Sequence, residues 1–297
     1  MTVGMRVTER LMGNIALNNL QNNLSRLGEL QAQLSSGKVI SKPSDSPSGT
    51  VAAMQARGDI SRTEQYSRNG DDGLGWLGTI DSALSTGVDQ LHKARDLVVQ
   101  GLSTGSAGSA QTSLALAAQI DSIRQGMLDT ANTTYLGRPV FGGTTSGSLA
   151  FDPTGTYVGD TGAVNRTVGD GVKVRVDSDA TKVFGAGNTQ LFTVLGDIAE
   201  DLRTNPGNLN ADLGRLDTTI NTVQSAQSDV GARYNQVQMM QQAATTRLTD
   251  LKSQLSNVED IDLPATITEM QMQQVAYQAA LAATGHVVQQ SLVDFLK

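Results

Sequence analysis

The sequence predicts a mainly α fold of long helices carrying a small β-rich insert. Three observations predict it. Apolar residues recur at seven-residue spacing towards both ends of the chain. No proline falls between Pro47 and Pro139, so long helices are allowed there. Between about Pro139 and Gly187 helical spacing gives way to Gly, Thr and a period of two.

In chain order, Leu17, Leu20, Leu24, Leu27 and Leu34 are spaced for helix packed on helix, with Gln31 at the position the next step of four would reach. The stripe stops before LSSGKVISKPSDSPSG at 34–49, where two prolines and two glycines end the helix. Ser46 followed by Pro47 reads as an N-cap with proline at the first helical position. The second helical region runs from about Ser48 to Leu102. Its seam is Leu77, Leu84, Leu91 and Val98, and NGDDG at 69–73 is a possible break into two helices. A glycine-rich turn at 101–108 precedes a third helix marked by Leu116, Ile120, Ile123 and Met127, expected to run antiparallel to the second.

In the insert, Val172, Val174 and Val176 alternate with Lys173 and Arg175, which predicts a half-buried strand. Leu149 with Phe151 and Tyr157 with Val158 suggest neighbouring strands. Helical signals return at Leu191. Leu216, Val223, Val230, Val237, Ala244, Leu251 and Val258 then hold an unbroken heptad, with Ile220, Tyr234, Leu248 and Leu255 among the partner positions. Such a repeat implies a helix of about 60 Å. Pro264, capped by Asp262, starts a last helix bearing Ile267, Met270, Tyr277, Leu281, Val288, Leu292 and Phe295. Residues 1–42 carry five basic and two acidic groups, and residues 250–297 carry two and six, so opposite charge favours pairing of the two ends.

Composition excludes several functions. The 297 residues include no Cys, which removes disulfides, thiolate metal sites and cysteine nucleophiles. His92 and His286 are the only histidines, too few for a multi-histidine metal site. A net charge of −7 argues against general nucleic-acid binding. No stretch reaches the ~20 apolar residues of a membrane span, and MTVGMRVTER lacks the apolar h-region of a cleaved secretory signal. GDGVKV at 169–174 has the wrong glycine spacing for a dinucleotide fingerprint, and DSDATK at 177–182 lacks calcium-loop spacing. Neither histidine has a catalytic context, so no catalytic, cofactor or metal residue is assigned.

Four segments carry a family resemblance: LSSGKVISKPSDSPSG at 34–49, SRNGDDG at 67–73 with ARDLVVQ at 94–100, ANTTYLGRPVFGGTT at 131–145 with TYVGD at 156–160, and LSNVEDIDLPATITEMQ at 255–271 with the closing SLVDFL. Together they resemble the flagellin superfamily of flagellar axial proteins, and most nearly its hook–filament junction members. Pro43 and Pro47 fit that branch better than filament flagellin.

The resemblance implies a structural protein without enzymatic activity or cofactor. Terminal helices 1–42 and 256–297 would pair as a coiled coil lining an axial tube, 43–138 and 189–255 would form the helical shell, and 139–188 the outer β domain. The terminal-helix residues Leu17, Leu20, Leu24, Leu27, Leu34, Ile267, Met270, Tyr277, Leu281, Val288, Leu292 and Phe295 would carry assembly. The inner seam would be Leu77, Leu84, Leu91, Val98, Leu216, Val223, Val230, Val237, Leu248 and Leu251. Implied partners are further copies in a ring, the first hook-associated protein, flagellin, and an export chaperone on the C-terminal helix, with neither nucleic acid nor membrane. The implied site is the extracellular flagellum, reached through the flagellar export apparatus. Filament flagellin and an unrelated cytosolic helical adaptor or enzyme with coiled-coil segments are the alternatives.

Overall fold

A computed structural model describes residues 2–104 and 110–295, with side chains described at 11, 14–103 and 110–285. Seven α-helices fall within the described residues: α1 Thr2–Ser36, α2 Pro47–Thr104, α3 Ala110–Ala131, α4 Ala180–Phe184, α5 Leu191–Thr204, α6 Leu209–Glu259 and α7 Leu263–Phe295. Two short antiparallel hairpins accompany them, β1 Thr134–Tyr135 with β2 Arg138–Pro139, and β3 Asn165–Gly169 with β4 Val172–Arg175. The expected mainly helical fold with a small β insert is present.

The chain divides into two units, Met1–Ser61 with Thr249–Lys297, and Arg62–Leu248.

The helix boundaries follow from local chemistry. Ser46 Oγ accepts from the Gly49 amide at 3.1 Å, the side-chain cap that Ser-Pro announced. Asp262 Oδ1 accepts from the Ala265 amide at 3.2 Å and starts α7 in the same way. Residues 101–104 of the expected turn are helical, since α2 extends to Thr104, and 105–109 lie outside the described residues.

One expectation is corrected. NGDDG does not break the second helix, because α2 continues through it for 58 residues. Each polar side chain there has a tertiary partner. Asn69 Nδ2 donates to the Thr167 carbonyl at 2.7 Å, Gln241 donates to Asp71, and Arg166 pairs with Asp72 at 2.5 Å. The helical glycines Gly70 and Gly73 are buried, which brings α6 and Val176, the residue after β4, close to the α2 backbone. Packing therefore overrides a weak helix propensity.

In the unit Arg62–Leu248, α2 and α6 run antiparallel. Gln227 donates to Asp81 at 3.2 Å, and Arg95 pairs with Asp217 at 2.7 Å. Leu77, Leu84, Leu91 and Val98 on α2 and Leu216, Val223, Val230 and Val237 on α6 are all buried in one core. Helix α3 returns antiparallel to α2, with Met127 against Gly87 and Gln90 against Gly126. Helix α5 packs on α3 through a fully apolar face that includes Phe192, Leu195, Ile198 and Leu202.

The β-bearing segment hangs on an aromatic cluster. Phe151 lies 5.0 Å from Phe192 and 5.4 Å from Phe184, and Phe141 lies 5.0 Å from Phe184. Asn132 stitches the segment to the end of α3. Its Oδ1 accepts from the Ala150 and Phe151 amides, and its Nδ2 donates to the Phe151 carbonyl, each at 2.9 Å. The strand expected at 172–176 is β4. The strands expected near Leu149 and Tyr157 reduce to one bridge, Phe151 with Tyr157, because turn-forming hydrogen bonds to Asp152 occupy the chain between them.

Candidate assembly surface

The unit formed by the two chain ends has a thin core. Among the described residues its buried apolar side chains are Leu30, Ala53 and Leu251. Helices α1 and α7 run antiparallel. Gln273 Nε2 donates to Asn23 Oδ1 at 3.1 Å, and Arg26 pairs with Glu269 at 2.6 Å. The half-buried or buried line on α1 is Ala16, Leu20, Asn23, Leu27, Leu30 and Leu34. On α7 it is Thr266, Met270, Gln273, Tyr277, Ala280 and Thr284. Both lines step by four and three residues, which is heptad packing of a pair.

The sequence-derived terminal residues therefore separate into two groups. Leu20, Leu27, Leu34, Met270 and Tyr277 lie on the shared seam. Leu17, Leu24, Ile267 and Leu281 point away from it and are 54%, 53%, 42% and 44% exposed. Leu11 and Ile15 add to the exposed apolar surface of α1, and Met272 and Val275 to that of α7. The side chains of Val288, Leu292 and Phe295 lie outside the described residues, as does that of His286. His92 is exposed on α2. Of the inner-seam residues, Leu248 is half-buried and Leu251 is buried.

A polar knot closes the base of the helix pair. The backbones of Lys38 and Asp260 pair in an isolated antiparallel β-bridge, the Val39 amide donates to the Glu259 carbonyl at 2.6 Å, and the Ile261 amide donates to the Gly37 carbonyl at 3.1 Å. The Glu259 carboxylate is buried and takes Lys38 Nζ at 2.6 Å and Arg57 at 2.8 Å. Burial alone would raise its pKa. The hydrogen bonds from Lys38 and Arg57 outweigh burial and hold it below the ordinary glutamate value. The charge asymmetry of the two ends is thus used in specific pairs, Lys38 with Glu259 and Arg26 with Glu269.

Sequence reasoning missed Leu30 and Glu259. Leu30 lies on the same line as Leu20, Leu27 and Leu34, whereas Leu17 and Leu24 lie on a neighbouring one, and only the position of α7 selects between the lines. Glu259 sits inside a segment legible only as a helix end.

Among the described residues no group of three His, Asp or Glu side chains could hold a metal ion, and no helix is long and apolar enough to cross a membrane. The profile of the bacterial flagellin N-terminal helical region matches residues 7–146, and that of the bacterial flagellin C-terminal helical region matches 213–296. The chain belongs to the flagellin family. It is a structural, non-catalytic protein of the bacterial flagellum, which places it outside the cell.

Among the relatives of this flagellin-family chain is flagellar hook-associated protein 3 of Escherichia coli, 25% identical over 94% of the chain and 96% of the relative. Flagellin of Bacillus subtilis is 24% identical over 96% of the chain and 97% of the relative. The fold is similar to that of a flagellar hook-associated protein from Vibrio parahaemolyticus, with a TM-score of 0.66 and 19% identity over 73% of this chain and 100% of that one. It is also similar to flagellar hook associated protein-3 from Legionella pneumophila, with a TM-score of 0.62 and 15% identity over 69% and 98%.

Proposed function

We propose that this flagellin-family chain is the adaptor at the hook–filament junction, where it forms a ring between the first hook-associated protein and the flagellin filament. The observation that carries the assembly half of this reading is the incomplete core of the terminal unit. Its helix pair buries one apolar line and leaves Leu17, Leu24, Ile267 and Leu281 in water. An apolar stripe on a helix needs a covering surface, and neighbouring subunits supply it.

The junction half rests on sequence character. The segments at 34–49 and 131–145 resemble junction proteins, and hook-associated protein 3 is similar along nearly the whole chain. On this reading 1–42 and 256–297 line the axial tube, 43–138 and 189–255 form the surrounding helical shell, and 139–188 faces outward. The buried heptads of α2 and α6 keep the shell rigid. An export chaperone covers the C-terminal helix before secretion through the flagellar export apparatus.

Purified intact hook–filament structures provide the test. Immunogold labelling should mark a single band between hook and filament. Labelling along the filament, together with long filaments grown from the purified chain alone, would instead identify a filament flagellin. Absence from flagella altogether would exclude both.

A further inference from the structure

Two carboxyl groups meet where α5 gives way to α6. The chain leaves α5 at Thr204, makes a 3-10 turn over Pro206–Asn208 and enters α6 at Leu209. Asp201 lies on the last turn of α5, and Asp212 on the first turn of α6. Asp212 is 3% exposed, and Leu202, Leu209 and Leu216 around this corner are buried.

The positive charge at the corner is already committed. Arg215 gives its shorter bonds to Asp197 and to the Asn188 carbonyl, both at 2.8 Å, and reaches Asp212 Oδ1 at 3.2 Å. Arg203 is turned to Asp121 and Glu200, and Arg95, from α2, is bound to Asp217. Asp201 Oδ1 receives one amide hydrogen bond, from Asn208 at 3.3 Å. Asp212 Oδ2 is buried and no protein donor reaches it, while the Asp201 carboxyl lies beside Asp212.

Two adjacent carboxylates, one of them in an apolar corner with a shared cation, repel each other, and a buried acceptor without a donor is costly. One proton removes both costs, because it turns the orphan acceptor into a donor. We propose that Asp201 and Asp212 share a proton, forming an acid-stabilised latch that ties the end of α5 to the start of α6. Burial, followed by the hydrogen bond and charge of Asp201, pushes Asp212 above the ordinary aspartate range, against the pull of Arg215. The folded corner therefore binds this proton more tightly than the unfolded chain does. The stabilisation is complete below the ordinary aspartate value and is lost as pH rises through the raised one.

The test uses the full chain. Carboxyl-carbon NMR should find Asp212 titrating above the ordinary aspartate range. Amide exchange across 202–216, corrected for intrinsic rates, should be slower below the ordinary aspartate value than at pH 8, with the protection fading as pH rises through the raised Asp212 value. Asp212→Asn keeps a donor in place at every pH and should abolish that difference. Asp201→Asn should do the same and serves as the deciding variant if Asp212→Asn does not fold. Ordinary titration of Asp212, or an unchanged pH dependence of exchange in the folded variants, would overturn the latch.

Discussion

Single residues in this chain carry strain and charge that no periodicity announces. Leu136 has a φ of +49° beside Gly137 at +77°, and it sits 78% exposed in the turn between β1 and β2. A branched side chain in the left-handed region costs roughly 1–2 kcal/mol, whereas asparagine is at home there. Leu136→Asn should therefore raise stability by about 1 kcal/mol in urea unfolding. Glu259 works in the opposite sense from the Asp201–Asp212 pair. Its folded pKa lies below the ordinary value of 4.5, so its contribution is present above that pH and is lost as pH falls through the folded value. Lys38 and Arg57 are partly solvated, so Glu259→Gln should cost only roughly 1–2 kcal/mol at neutral pH. The deficit should shrink as pH falls below the ordinary glutamate value and through the folded one, as followed by hydrogen exchange at 37–40 and 257–262. Tyr157 is pushed up to about 12 by burial and by the charges of Asp160, Asp179 and Asp177. Its hydroxyl stays protonated and donates to the Asp160 carbonyl at 2.5 Å.

At the scale of elements, α1 is the informative case. Its leucines could be read as one stripe, but the stripe belongs to two surfaces. Leu30 is 1% exposed against the pair, while Leu24 is 53% exposed. Leu30→Ala should destabilise the terminal unit by about 2–3 kcal/mol, seen as faster exchange along α1 and α7. Leu24→Asp should leave the melting temperature of the monomer nearly unchanged and impair assembly. A large loss of monomer melting temperature would place Leu24 in an internal core. Helices α2 and α6 were legible almost to their ends, because heptads and the absence of proline act along the chain itself. The continuity of α2 through 69–73 was not legible. It depends on Thr167, Arg166 and Gln241, residues far away in sequence.

For the whole molecule, the two units differ in kind. The unit Arg62–Leu248 has a large core that includes the buried Trp76, edge-on to Tyr135 and flanked by the guanidinium groups of Arg138 and Arg166. The terminal unit has three buried apolar residues among those described. Deleting residues 271–297 should therefore leave Trp76 fluorescence and cooperative unfolding of the larger unit close to those of the full chain. The same deletion should abolish incorporation at the flagellum. A truncated chain that still supported filament growth would refute assembly through the terminal helices.

The sequence by itself determined the long helices, the Ser46 and Asp262 caps, the strand β4 and the family, but not the short helix α4 or the strand β3 that pairs with β4. What it determined follows from spacing, residue type and local backbone preference. Tertiary structure alone decided which apolar line of α1 is buried, why NGDDG stays helical, and which acids are paired, unpaired or pressed together. Those outcomes depend on groups brought close by folding, and burial and Coulomb energy respond to distance in space, not to separation along the chain.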